Sequence, residues 1–319
     1  MKSTLLIIIS FLFISNAFPH PGIGIVKDSK GNIYYTDLKQ VWKVSGNKKT
    51  VVVRNVHTHE LYIDSDDNLY GEHLWYNGEA LNTWGHYIWC LRQDGSLIRV
   101  KDATPGFRED YSFVRDGKEN MYWVERCKIS RFKKKTPQGE VSVIAEGKFK
   151  DVSWMHATKK GRLYFLDFHN LYAIENGKVK LLSEKLNEST AAFAFIGERH
   201  NAYGIWTDAA DNIYVALHGG QRIKKIQADG SISTLLYSSA PWSPTSGLFD
   251  DEGNLWLLEY TITGDCRVRK IDRNELLHAG YASAFMMNDV LPFAVAGACL
   301  FVIAMVIKKW RDKKFALPA

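Results

Sequence analysis

The chain has 319 residues, 24% of them charged and 46% hydrophobic, with a formal charge of +6. The basic excess is local: five bases and one acid fall between Lys308 and Lys314, and Lys2 precedes the first apolar run, so the rest of the chain carries only about +1. This excludes the broad basic footprint that nucleic-acid binding requires, and no nucleic-acid partner is expected.

Residues 1–17, MKSTLLIIISFLFISNA, join a basic start to an apolar run ending in small residues at Ser15 and Ala17. That is the layout of a signal peptide cleaved after Ala17. From residue 18 to 275 one short phrase recurs six times: DSKGNIYYTD (28–37), DSDDNLYGEH (64–73), DGKENMYWVE (116–125), TKKGRLYFLD (158–167), DAADNIYVAL (208–217) and DDEGNLWLLE (250–259). Each reads as a tight turn followed by a strand. Asn32, Asn68, Asn120, Arg162, Asn212 and Asn254 hold one place in it. The first and last lie 222 residues apart over five intervals, a mean of about 44, the length of a four-stranded propeller blade.

A short strand precedes each phrase, as in GIGIVK and YGIWT, and further hairpins turn at Asp94-Gly95 and Asp229-Gly230. A four-stranded sheet is too small to stand alone, and a ring of blades buries both faces of each sheet. The expected fold class is therefore all-β, a six-bladed β-propeller. Two stacked sandwiches, the alternative, leave the repeat unexplained. The sixth blade ends in DCRVRKIDRNELLHAG. It is expected to have three strands, or to take a fourth from 274–285.

Residues 276–289 read as a linker. Residues 290–307 form an uncharged apolar run of eighteen, the short limit for a membrane-spanning helix. The basic tail, 308–319, marks a cytoplasmic flank. The ends thus predict a single-pass membrane protein with its propeller outside the cytoplasm: extracellular, periplasmic or luminal. Cys90, Cys127 and Cys266 leave at most one disulfide within the body.

The pattern G-I-x-x-D-x-x-G-N-I-Y, carried best by GIGIVKDSKGNIYYTD (22–37) and YGIWTDAADNIYV (203–215), resembles the blade signature of the NHL-repeat and gluconolactonase-like six-bladed propellers. The resemblance covers nearly the whole body. It implies a divalent metal held by Glu, Asn and Asp on first strands, just before the repeat glycine. Here that place holds Ile23, His59, Tyr111, Ser153, Tyr203 and Thr245 or Ser246. With no carboxylate among them, the implied metal triad does not carry over. Related strictosidine-synthase-like propellers imply a catalytic glutamate in a deep pocket, a place open to Glu125 or Glu259.

Two insertions, HLWYNGEALNTWGHY in blade 2 and LNESTAAFAFIGERH before blade 5, are expected on one face of the disc. The second-strand ends put Asp37, His73, Glu125, Asp167 and Glu259 at the same mouth, with His218 from blade 5. Any one of these acids also reads as a turn cap. In blade 2, HTHELYID places His57 and His59 on one side of a strand. With His73, or Glu72, they form a candidate site for a divalent metal ion; the other reading is a polar channel lining. Glu60 stands where other blades have glycine.

Catalytic candidates are Glu60, Glu125, Asp167 and Glu259; ligand-binding candidates are His59, Tyr111, Tyr203, His218 and Trp84. The expected function is a membrane-tethered propeller that binds a small molecule, sugar or protein at its channel mouth. The alternative is a metal-dependent hydrolase or lyase centred on blade 2.

Overall fold

The computed structural model of the protein describes residues 21–276, apart from Lys185, Asn187, Ala194, Phe195, 197–199 and Ala228. The expected signal peptide, most of the linker, the apolar run at 290–307 and the basic tail lie outside the described residues. Among the described residues no helix is long and apolar enough to cross a membrane.

Six antiparallel sheets follow one another along the chain. Blade 1 holds β1 (Ile25–Lys27), β2 (Ile33–Thr36), β3 (Gln40–Ser45) and β4 (Lys48–Arg54), and blade 2 holds β5 (Leu61–Ile63), β6 (Leu69–Tyr76), β7 (Trp84–Leu91) and β8 (Leu97–Pro105). Blade 3 has only β9 (Met121–Glu125), β10 (Ser130–Lys135) and β11 (Val141–Gly147). Blade 4 comprises β12 (Val152–Ala157), β13 (Leu163–Asp167), β14 (Asn170–Glu175) and β15 (Lys178–Ser183). Blade 5 comprises β16 (Ala202–Thr207), β17 (Ile213–Leu217), β18 (Arg222–Ile226) and β19 (Ile232–Tyr237), and blade 6 comprises β20 (Trp242–Phe249), β21 (Leu255–Thr261) and β22 (Cys266–Ile271).

The recurring phrase is a hydrogen-bonded box. In blade 5, Asp208 Oδ1 accepts the N–H groups of Ala210 and Asn212, while Oδ2 accepts Asn212 Nδ2 and the Tyr214 hydroxyl. Asp28, Asp64 and Asp116 repeat all four bonds with their own Asn and Tyr, and in blade 6 Trp256 Nε1 replaces the tyrosine hydroxyl on Asp250. Blade 4 departs: Thr158 Oγ1 accepts only the Arg162 N–H. The turn needs a left-handed residue before the Asn. Gly31, Gly161 and Gly253 supply it at φ 80–85°, and Asp67, Glu119 and Asp211 adopt it at φ 61–62°, a region that non-glycine residues enter at a cost.

Blades pack through apolar clusters. One joins blades 1 and 2 around Val53, Leu61 and Trp89; others join blades 3 and 4 around Phe132 and Phe165, 4 and 5 around Leu166 and Val215, and 5 and 6 around Trp206 and Leu257. A fifth, around Tyr35, Leu258 and Tyr260, closes the ring between blades 6 and 1. Closure is reinforced by the Tyr260 hydroxyl donating to Thr36 O (2.7 Å) and by Thr245 Oγ1 donating to Gly22 O (2.8 Å). Blade 6 has three strands among the described residues; most of 274–285, the expected source of a fourth, lies outside them. Cys90, Cys127 and Cys266 are all free.

The sixth seam differs. Among the described residues no apolar cluster spans blades 2 and 3. Blade 3 also lacks a regular first strand: that part of the chain is reduced to a bridge between Arg115 and Met121. In place of packed aliphatics the Arg115 guanidinium lies over the rings of Tyr62 and Tyr111, 5.3 Å from each, and the Tyr62 hydroxyl donates to Glu119.

Candidate functional site

The seam between blades 2 and 3 opens into a cavity of about 730 Å³, walled by blades 2, 3 and 4 and by the 106–113 loop. It lies on the face expected from sequence, at the end of β9 and the start of β12. A second cavity, of about 480 Å³, opens at the other ends of the first strands. Ile23, Glu60, Phe113, Val114 and Met155 line both and form the waist between them.

The repeat explains why the space is there. At the glycine position, Gly24 and Gly204 let each first strand press on the next: a Cβ on Gly204 would stand 2.6 Å from Thr245 O, and one on Gly24 3.1 Å from Leu61 N. The same position in blades 2, 3 and 4 holds Glu60, Ser112 and Trp154, and all three line the larger cavity. Glycine lets blades 1 and 5 press on their neighbours, while side chains at this position in blades 2, 3 and 4 face the cavity.

Glu60 is the focal group. Among the described residues its carboxyl has no hydrogen bond or ion pair within the protein. Burial, reinforced by the nearby negative charge of Glu72, pushes it up to about 7. Of the other charges at the cavity, Glu109 is exposed and the rest are occupied. Glu125 pairs with Lys133 at 2.5 Å, and Arg108 with Asp110 at 3.3 Å. Arg126, on the exposed rim, donates through Nε and Nη2 to Val152 O. Ser153 Oγ, in the wall, is buried without a partner.

Glu72 is the hub of blade 2. Its Oε1 accepts the His59 N–H at 3.1 Å and lies 3.4 Å from His59 Nδ1, and its Oε2 lies 3.3 Å from His86 Nε2. Burial opposes its charge, but the bonds from His59 and His86 prevail and bring it down to about 2. His86 Nδ1 in turn accepts the Arg108 N–H at 2.9 Å, which ties the cavity loop to the hairpin of β6 and β7.

Two of the three candidate blade-2 histidines meet. His57 Nε2 and His59 Nε2 approach to 3.3 Å, and burial lowers His57 to about 4. His73 does not join them. Its Nδ1 accepts the His57 backbone N–H at 3.0 Å, and its ring stacks on Trp75 at 5.5 Å. Among the described residues no group of three or more His, Cys, Asp or Glu side chains is arranged to hold a metal ion. The reason is local: His73 lies on the aromatic face of the hairpin, and Glu72 is claimed by two histidines.

The remaining sequence candidates divide. Tyr111 and Glu125 line the cavity. Trp84 is at the rim, its ring 5.9 Å from that of Phe107. Tyr203 and His218 are buried and line neither cavity, because the insertion before blade 5 lays Phe193 against His218 at 5.1 Å. Asp167 accepts the Asp151 N–H at 2.6 Å, so it serves the turn. Glu259 is fully buried against Arg267 (2.7 Å), Arg269 and Ser238 and braces blade 6. Asp37 caps its own turn through the N–H groups of Lys39 and Gln40. Sequence reasoning singled out neither Ser112 nor Trp154. Both stand beside Glu60 in the glycine column of the six aligned repeats, where they could have been found.

No family model matches the chain, and no curated protein matches it in sequence. In structure it is similar to an auxiliary nutrient-binding protein from Bacteroides ovatus, with TM-score 0.53 and 11% identity over 79% of this chain and 69% of that one. It is also similar to a streptogramin B lyase, with TM-score 0.50 and 11% identity over 80% and 95% of the two chains. A candidate gluconolactonase matches with TM-score 0.50 and 11% identity over 78% and 90%. Likeness at this identity shows the fold, which hosts binding proteins and enzymes alike.

Proposed function

We propose that the protein is a ligand-binding propeller whose site is the cavity at the blade 2–3 seam. The observation that carries this reading is Glu60, a carboxyl without a protein partner that faces a cavity of about 730 Å³ opened by the missing first strand of blade 3. Unsatisfied polar groups and shifted carboxyls gather where ligands bind. The apolar runs at 1–17 and 290–307 support presentation of this face outside the cytoplasm on a single membrane anchor.

A thermal-shift screen of the purified body against a small-molecule library tests the reading. The library includes gluconolactone and a streptogramin B antibiotic, as probes of the chemistry named for the similar structures. Hits should lose their effect in Ser112→Trp, which plugs the cavity. Hits that survive the plug would place binding elsewhere. A second reading, a lyase or hydrolase working without a three-residue metal site, is favoured by Glu60 alone, since a carboxyl poised near 7 suits general acid–base chemistry. Turnover of a hit, lost in Glu60→Gln while binding persists, would select it.

A further inference from the structure

We propose that the cavity takes a small organic cation, a protonated amine whose nitrogen lies against Glu60 and whose apolar body lies among the surrounding rings. The inference rests on the binding reading above and names the ligand class. Three observations meet here. Among the described residues Glu60 is the one lining carboxyl that is both half-buried and without a protein partner: Glu72 is held by His59 and His86, Glu125 by Lys133, and Glu109 is exposed. No lining cation pairs with it: Arg108 is paired with Asp110, and Arg126, exposed at the rim, donates to Val152 O and acts on Glu60 only through its field. The wall is aromatic, with Tyr111, Phe113, Trp123 and Trp154 all lining the cavity. Rings and an unpaired carboxylate together favour an ammonium group, through ring quadrupoles and direct charge pairing. The unpartnered Ser153 hydroxyl gives the nitrogen a second acceptor.

The groups that set the charge state of Glu60 are Glu72 and His59 from its own blade and Arg126 from blade 3. An amine that binds the ionised carboxylate displaces the proton held there near neutral pH. Its affinity should therefore rise with pH through about 7, and fall by about tenfold per unit below that point. The neutral alcohol of the same shape should show no such dependence.

The experiment is titration calorimetry with phenethylamine, 2-phenylethanol and 3-phenylpropionate at pH 6 and pH 8, in two buffers of different ionisation enthalpy. The account expects phenethylamine to bind tightest, more tightly at pH 8, with proton release near pH 7. It expects Glu60→Gln to weaken phenethylamine at least about tenfold, the scale of one charge-assisted bond, with a melting temperature no lower than that of the parent protein. Equal binding of the alcohol or carboxylate, lost in Ser112→Trp, would overturn the cation and leave the cavity as the site. Phenethylamine binding that Glu60→Gln does not change would also overturn it. Failure of all three probes to bind would overturn the cation and count against the cavity as well.

Discussion

Two kinds of seam hold this ring together. Between blades 5 and 6, Gly204 brings two first strands to contact, and the space behind them is filled by Trp206, Leu255 and Leu257. Between blades 2 and 3 the equivalent residue is Glu60, the facing first strand is reduced to one bridge, and an arginine lying over two tyrosines stands in for a core. The same repeat thus gives a close strand contact where Gly204 stands and, at the blade 2–3 seam where Glu60 replaces it, a cavity. Apolar packing lies in the other five seams, and polar and aromatic side chains take its place at this one.

The largest effect should come from breaking a sealed seam. Gly204→Val directs a side chain at the Thr245 carbonyl, 2.6 Å from the Cβ position, and should cost about 2–3 kcal/mol by overpacking. Ser112→Val, at the same repeat position but facing the cavity, should cost less than about 1 kcal/mol. Urea unfolding of both variants measures the contrast, and equal losses would erase it.

Next come the turn boxes, which are the same on both sides of the ring. Asp116 and Asp208 are pushed up by burial, but the bonds from Asn and Tyr outweigh it and hold them below the usual carboxylate range. A depressed carboxylate stabilises the fold above its unfolded value of about 3.9, and that contribution fades as pH falls through the folded value. Asp208→Ala and Asp116→Ala should each cost about 2 kcal/mol at pH 7 and progressively less below pH ~4. Unequal losses would mean that the open seam weakens its neighbouring turn.

Glu60 has the opposite sign. Its carboxyl is raised to about 7, so its contribution is fully present below the unfolded value of about 4.3 and is lost as pH rises through 7. Glu60→Gln should be neutral at pH 4 and stabilising by on the order of 1–2 kcal/mol at pH 8, read from denaturant curves at the two pH values. The smallest effect belongs to Trp84→Ala. Its ring, 40% exposed, touches Tyr76 and Phe107 at the rim, and its loss should cost about 0.5–1 kcal/mol.

The repeat made the fold legible because its Asp, Asn and Tyr are bonded to one another within each turn, so the architecture is written in local chemistry. Six blades follow from it. The site was legible only in part. His57 and His59 do meet, although they lie in the segment leading into β5 and not on the strand itself. That His73 turns to Trp75, and that Glu72 binds His59 and His86, depends on a hairpin whose pairing brings residues fourteen positions apart together. Tyr203 and His218 share the sequence features of site residues, but the insertion before blade 5 covers them. The cavity itself arises from a strand that blade 3 fails to form, and no residue type announces that.

The central claim is that Glu60 sits unpaired in the cavity at the open seam. Carbon-detected NMR titration of its side-chain carboxyl, assigned by comparison with Glu60→Gln, tests this directly. The account predicts a midpoint near pH 7, well clear of the other glutamates. A midpoint at the ordinary value of about 4.3 would show the carboxyl to be solvated or paired and would contradict it.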